Sequence, residues 1–240
     1  MSLDVLTTSE RQRLDADGYL ALAGVVDPTR VRTMRTRLDK LHAVTEQTHA
    51  GTLVVGGLLE EQVFDAAWRH PRVLAAVGHV LGDGYRLLGV ASRSVRPGHG
   101  QEALPVDWGS HVPPGLWYAC YAICALVDFT ATNGATRVVP GTHRNPSMLT
   151  GKGRGDSGYQ DPRQPHPAQR QLVGPAGTVF VLNIHCGHSA MENRSAGPWL
   201  ALFAHFSRRD SPLLQANSYP DPSPATLSRH DTEIRAMLVG

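Results

Sequence analysis

The strongest indication of the fold is one continuous run of residues, Asn133-Gly134-Ala135-Thr136-Arg137-Val138-Val139-Pro140-Gly141-Thr142-His143-Arg144. Residues 136–139 form a short apolar run that indicates a β-strand, and Pro140-Gly141 marks the turn that ends it. The chain around this stretch, from Gly84 onward, has the same pattern of short apolar runs separated by Gly, Pro and Asn clusters. The clearest other runs are residues 85–90, 116–129, 178–184 and 199–206. This pattern predicts a barrel or jelly roll of short strands.

The chain before Gly84 predicts helices with one short strand between them. Residues 8–15 predict a first helix, and residues 19–22 a strand. Asp27-Pro28 is a typical helix start, because an N-cap oxygen precedes a proline at the first helical position. Four apolar residues then recur at helical spacing: Val31, Met34, Leu38 and Leu41. Further helices are predicted at residues 72–81, which Gly82 ends, and at residues 225–238.

The sequence predicts one domain that covers residues 1–240. Residues 1–83 are interpreted as a mainly helical N-terminal support, 84–210 as the jelly-roll core and 211–240 as a C-terminal segment. Residues 145–171 are rich in Gly, Pro and Arg and show little periodicity. That segment is too long for a simple hairpin, so it is interpreted as a lid or binding loop, or as a disordered excursion.

Composition excludes several functional classes. The formal net charge of +2 and the absence of a basic run argue against a nucleic-acid partner. No apolar stretch is long enough to span a membrane, and the N-terminus lacks the features of a signal peptide. Three cysteines without metal-finger spacing favour a reduced, cytoplasmic protein. The expected partner is a small-molecule substrate, with a homodimer or a paralogous partner left open.

Several motifs together resemble the phytanoyl-CoA dioxygenase family. They are Asp17-Gly18-Tyr19, Val25-Val26-Asp27-Pro28, Arg96-Pro97-Gly98, residues 133–144, and Gly177 followed by His188 and Asn193-Arg194-Ser195. Each motif is modest alone, but their order and spacing cover nearly the whole chain. The resemblance implies a mainly β fold with flanking helices (α+β). This is the double-stranded β-helix, a cupin-like jelly roll, of the Fe(II)/2-oxoglutarate oxygenase type.

The resemblance also implies a metal site, and this chain departs from it at two positions. The family uses a His-x-Asp pair and a distal His as iron ligands. An Arg eleven residues after the distal His holds the far carboxylate of 2-oxoglutarate. Asp107 matches the carboxylate and His188 the distal His, but Pro105 stands at the first His and Trp199 at the Arg. Proline has no donor atom, and an indole cannot form an ion pair with a carboxylate.

These two losses favour a function without cofactors. We expect neither a bound metal nor 2-oxoglutarate, and we expect Asp107 and His188 to act as a catalytic pair. Asp107 would orient the imidazole, and His188 would move a proton. The predicted function is a tailoring enzyme of bacterial secondary metabolism that performs cyclisation, isomerisation or elimination on a small apolar metabolite.

Two alternatives remain open at the level of sequence. In the first, the protein is an Fe(II)/2-oxoglutarate-dependent oxygenase with a rearranged site made of Asp107, His188 and His111, and with a different carboxylate anchor. In the second, it is a non-catalytic binding protein or a pseudoenzyme partner of an active paralogue.

Five residues are candidates for substrate binding. Trp108 and Trp199 are interpreted as apolar pocket walls, and Arg93 as a contact for an acidic substrate group. His111 is expected on a loop at the barrel mouth. Tyr118 lies in a run whose alternate residues share a face with Cys120 and Cys124, whereas Tyr121 belongs to the opposite face. Which face lines the pocket stays open.

Overall fold

The computed structural model describes residues 6–45, 51–104, 112–145, 149, 164–212 and 220–239. Within them, the strands in chain order are β1 (Tyr19–Leu22), β2 (Thr52–Val55), β3 (Tyr85–Val95), β4 (Ala119–Ala125), β5 (Arg137–Val138), β6 (Arg170–Gln171), β7 (Val179–Asn183), β8 (His188–Ser189) and β9 (Trp199–Arg208). Every strand pairing is antiparallel. One sheet has the order β1-β7-β4-β9-β3-β2, and a smaller one has the order β6-β5-β8.

The helices begin and end at residues that explain their limits. They are α1 (Thr8–Asp17), α2 (Pro28–His42), α3 (Pro71–Leu81), α4 (Pro224–Ser228) and α5 (Thr232–Leu238), with two 3₁₀ turns at Leu58–Glu60 and Gln62–Ala67. The Thr7 and Glu10 side chains form a capping box at the start of α1. The Asp27 carboxylate accepts hydrogen bonds from the first backbone N–H groups of α2. No helix within these ranges is long and apolar enough to cross a membrane.

The larger sheet separates two apolar layers. One of its faces packs against the helices, in a core that includes Met34, Trp68 and Val77. The other face packs toward the smaller sheet, and that core includes Phe129 and Val138. The site described below lies between the two sheets, on the second face.

Along strand β4, alternate side chains belong to the two faces of the larger sheet. Cys120, Ala122 and Cys124 are buried on the helix side. Ile123 and Ala125 are buried on the inner side, and Tyr121 packs there as well. Burial raises the pKa of the Cys124 thiol to about 12, which is consistent with a packing role for this cysteine.

The expected fold class, mainly β with flanking helices, is confirmed. The single helix predicted at residues 225–238 is wrong, because the chain forms α4 and α5 there. Asp231 interrupts the helix since its carboxylate accepts a hydrogen bond from the Ile234 N–H and caps a new one. The sequence also missed β2, which pairs with β3 at the sheet edge. Most of the segment at 145–171 lies outside the described residues, but β6 at its end pairs with β5.

Candidate functional site

A cavity of about 750 Å³ lies on the inner face of the larger sheet. Strands β3, β4 and β9 line one side of it, and β8 lines the other. The described side chains that matter for the argument are Arg93, Glu102, Tyr121, His188, Trp199, Phe203 and His205. Apolar and aromatic surface predominates, with a few polar groups, as is typical of small-molecule sites.

His188 begins β8 and is nearly buried at the cavity wall. Its Nδ1 lies 2.8 Å from the carbonyl oxygen of Cys186. A carbonyl can only accept, so Nδ1 carries the proton and the lone pair of the neutral ring is on Nε2. Metal-binding histidines are oriented in the same way, by donating the second ring N–H to a carbonyl or carboxylate. The arrangement therefore suits His188 as a ligand or as a proton acceptor.

His185 lies in the turn before β8, where it has a structural role. Its Nε2 accepts a hydrogen bond of 3.0 Å from the Tyr118 N–H, and its ring lies 5.6 Å from the Trp117 ring. Burial, together with a smaller contribution from the nearby His143, lowers the pKa of His185 to about 4. The imidazole is therefore neutral near pH 7. His185 is not one of the residues found along the cavity wall within the described ranges.

Aromatic rings form one wall of the cavity. Tyr121 on β4 lies with its ring 6.2 Å from the His188 ring, 5.7 Å from the Phe203 ring and 4.9 Å from the His205 ring. Trp199 begins β9 and stacks obliquely on Phe129, with 5.0 Å between the ring centroids. Sequence reasoning identified Trp199 but missed Tyr121, Phe203 and His205. The alternation along β4 and β9 contained the signal, but not which face was inner.

Arg93 extends from β3 into the cavity and forms an ion pair with Glu102. Glu102 was not predicted as a site residue. Its backbone carbonyl accepts a hydrogen bond of 2.9 Å from Arg137, a fully buried arginine that also donates to Ser189 on β8. Arg137 therefore holds the chain at Glu102 against the strand that carries His188.

The structure tests the placement of only some predicted site residues. It brings His188, Trp199 and Arg93 together around one cavity. Tyr118 precedes β4 and lies beside His185 and Arg208, away from the cavity lining that the structure describes. Asp107, Trp108 and His111 lie outside the described residues, as does Pro105. The proposed pairing of Asp107 with His188, and the roles of Trp108 and His111, stay predictions.

Solved structures of two other proteins resemble this one. HygX from Streptomyces hygroscopicus, with nickel and 2-oxoglutarate bound, has 21% sequence identity and a TM-score of 0.64, and the match covers 85% of this chain and 88% of HygX. HygX with nickel, 2-oxoglutarate and hygromycin B gives 20% identity and a TM-score of 0.65, over 91% of this chain and 98% of HygX. SnoN, a non-heme alpha-ketoglutarate-dependent epimerase from nogalamycin biosynthesis, has 22% sequence identity and a TM-score of 0.59, and the match covers 83% of this chain and 82% of SnoN. These TM-scores, at such low identities, show a shared fold.

The expectation that neither a metal nor 2-oxoglutarate is bound is wrong by this comparison. HygX contains nickel and 2-oxoglutarate, and SnoN was also crystallised with Fe³⁺ and alpha-ketoglutarate. Both structures point to metal and 2-oxoglutarate binding in the family. The expectation rested on the replacements at Pro105 and Trp199. Replacement at two positions does not exclude binding through other groups of the same cavity, such as Arg93.

The residues present fit these two groups unequally. His188 fits a metal ligand, because its tautomer is set by the Cys186 carbonyl. Within the described ranges no three His, Cys, Asp or Glu side chains form a group that could hold a metal ion, so His188 would supply one ligand and the described residues do not complete the set. Trp199 does not fit the far carboxylate of 2-oxoglutarate. Its indole is uncharged and 1% exposed, and it is packed against Phe129.

The family model described as phytanoyl-CoA dioxygenase (PhyH) matches residues 14–199, which is most of the chain. The match includes β1 at its start and reaches the first residue of β9 at its end, so it contains both His188 and Trp199. This chain therefore belongs to the phytanoyl-CoA dioxygenase (PhyH) family.

Proposed function

We propose that this chain is a metal-dependent tailoring enzyme of bacterial secondary metabolism that converts a small, largely apolar metabolite in the cavity beside His188. The observation that carries the proposal is the His188 ring, held by the Cys186 carbonyl with its Nε2 lone pair on the other edge. The two structural relatives support the biological setting. One is an epimerase from nogalamycin biosynthesis, and the other was crystallised with hygromycin B.

His188 would hold the metal, and Tyr121, Trp199 and Phe203 would bind the metabolite through apolar contact. A divalent metal at this place supplies a Lewis acid or a redox centre. The protein itself contributes the orientation of the ligand ring. It also provides a wall that excludes water, since Trp199 is almost fully buried against Phe129.

For the reaction on the metabolite we propose isomerisation, cyclisation or elimination. SnoN is an epimerase that depends on alpha-ketoglutarate, so a protein of this fold performs a reaction that changes configuration. Oxygenation is the second candidate, because the matching family model is that of a dioxygenase. The mass of the product separates the two candidates. Isomerisation and cyclisation leave the mass unchanged and elimination removes a small molecule such as water, whereas oxygenation adds an oxygen.

Metal titration tests the proposal directly. We expect the purified protein to bind one equivalent of nickel(II), or of iron(II) without oxygen, by isothermal titration calorimetry. The change His188→Ala should weaken this binding by more than about 100-fold, because loss of a ligand exceeds the effect of losing its supporting partner. His79→Ala is the matched control, since His79 pairs with Asp15 outside the cavity, and it should bind as the wild type does.

Two results would overturn the proposal: a wild-type protein that binds neither metal, or a His188→Ala variant that binds both with unchanged affinity. Circular dichroism of each variant shows that the fold is intact. A protein that binds small apolar molecules but no metal would instead be the non-catalytic binding protein.

A further inference from the structure

The cavity contains a cation whose hydrogen-bonding capacity is incompletely used. Arg93 is the one lysine or arginine among the described residues that line it. A guanidinium has five N–H donors, and Nε with one Nη forms an edge that matches the two oxygens of a carboxylate. The Nη2 group of Arg93 binds Glu102, but the buried Nε–H has no acceptor within the described part of the chain. The edge is therefore half occupied.

Glu102 is held by its backbone rather than by its carboxylate. Its carbonyl oxygen is bound by Arg137, whereas its side chain is 42% exposed. One carboxylate oxygen pairs with Arg93, and the other accepts a long hydrogen bond of 3.3 Å from the Ala190 N–H. The pair is only partly buried, so solvent screens it and it contributes modest stability. Rotation of the Glu102 side chain would therefore release the guanidinium at small cost.

Arg93 also lies next to the position that the family uses to bind a carboxylate. In the register of β3 and β9, Val95 is opposite Trp199 and Arg93 is opposite Ala201. Arg93 and Trp199 are thus diagonal neighbours, and both line the cavity that contains His188. A ligand in this cavity therefore shares its space with the guanidinium, the Trp199 wall and His188.

We propose that Arg93 is the carboxylate-binding residue of this cavity: a ligand carboxylate takes its Nε/Nη2 edge as Glu102 rotates away, which supplies the cationic contact that Trp199 cannot make. The inference rests on the proposed function in that it places this ligand in the same cavity. Two sources of the carboxylate share this chemistry. One is the far carboxylate of a 2-oxo diacid co-substrate, and the other is a carboxylate on the metabolite itself.

Calorimetric titrations with three probes distinguish these sources. 2-Oxoglutarate has a far carboxylate, pyruvate has the same 2-oxo acid group without it, and 3-phenylpropionate represents an apolar metabolite with one carboxylate. The first two are titrated into nickel-loaded protein and the third into metal-free protein. Arg93→Met should weaken binding of 2-oxoglutarate or of 3-phenylpropionate by about tenfold or more, and leave pyruvate unchanged, because only a charge-assisted pair is lost.

Glu102→Gln is the matched variant on the other side of the pair. It removes the competing charge, so it should bind the responsive probe as well as the wild type or more tightly. Arg93→Lys retains the charge and should recover part of the affinity. Thermal unfolding of each variant identifies any that do not fold. If Arg93→Met does not fold, Arg93→Lys alone tests the proposal, and the loss of the planar fork should weaken binding of the responsive probe.

The assignment is overturned if 2-oxoglutarate and 3-phenylpropionate bind Arg93→Met as they bind the wild type. It is also overturned if pyruvate loses as much affinity as 2-oxoglutarate, because the effect would then lie at the metal. Failure of the proposed function has a different signature: the wild type binds no nickel, while the response of 3-phenylpropionate to Arg93 in metal-free protein is unaffected.

Discussion

His185 and His188 are three residues apart, yet their surroundings differ in every respect that matters for chemistry. Around His185 the ring nitrogen Nε2 accepts a backbone N–H, and Trp117 lies between this ring and that of His143. Around His188 the ring donates through Nδ1 to a backbone carbonyl and faces a cavity. In the first case the lone pair is used to hold the fold together. In the second, the backbone carbonyl fixes the proton on Nδ1 and so places the lone pair on Nε2.

In both histidines, the hydrogen bond of one ring nitrogen sets the proton position and so determines whether the other nitrogen can donate or accept. Residues 184–187 form a turn between β7 and β8. Across this turn the ring of His185 contacts Tyr118, whereas the ring of His188 contacts Tyr121.

The largest expected effect concerns the pH dependence of stability. The pKa of His185 is lowered from 6.5 to about 4 in the folded protein, so the unfolded chain binds the proton more readily. Stability from this group is complete above pH 6.5 and is lost as pH falls toward 4, by about 3 kcal/mol in total. His185→Gln should remove this loss. Urea unfolding of both proteins between pH 7.5 and 4.5 measures it.

If the free energy of unfolding changes with pH in the same way in the wild type and in His185→Gln, the pKa of His185 is not lowered by folding. The contrast with His188 would then rest on hydrogen bonds alone.

The second prediction concerns stability and the packing of Gly18 against His143 and Cys186, close to His185. Gly18 has a φ of 81°, and a Cβ there would lie 2.7 Å from the Nδ1 of His143 and 3.1 Å from the Sγ of Cys186. Gly18→Ala should therefore destabilise the protein by about 2 kcal/mol, from backbone strain and from the contact with the ring. Gly24→Ala is the control, because it has a similar φ of 68° and no atom within 4 Å of a Cβ.

Thermal or urea unfolding at pH 7.5 compares the two glycine variants. Equal losses would show that the region beside His143 can yield, which would contradict the tight packing assigned to it.

The smallest effect compares the two tyrosines that accompany the histidines. Tyr121 lines the cavity and Tyr118 does not belong to the described lining. Tyr121→Leu should weaken binding of the neutral apolar dye Nile red by a factor of about five, because aromatic contact area is lost. Tyr118→Leu should leave the dye affinity unchanged. A fluorescence titration measures both, and an equal loss in the two variants would place the dye outside this cavity.

Much of the fold was predictable from local patterns. The helix start at Asp27-Pro28 and an apolar stripe predicted α2, and Gly82 predicted the end of α3, because those signals depend on neighbours within a few residues. Strand β2 and the break between α4 and α5 were missed. Strand β2 is a four-residue edge strand with no fully buried side chain, so it has no clear alternation. The break depends on one capping contact of Asp231.

The candidate site was predictable in part. The spacing of family motifs located His188 and the substitution at Trp199, and the charge of Arg93 suggested a contact with an acidic substrate group. Glu102, Tyr121 and His205 were not found. Each belongs to a different segment from His188. Strand pairing brings Tyr121 and His205 to the cavity, and the bond from Arg137 holds the chain at Glu102 there.

The PhyH fold, and the replacement of two residues of the family pattern by proline and tryptophan, could be recognised from the order of short motifs, which a sequence contains completely. The folded chain was needed to show which face of β4 is inner, which of two nearby histidines faces the cavity, and that Arg93 lies diagonally beside Trp199. Strand register and the direction of a turn follow from packing between distant segments, and local sequence does not specify them.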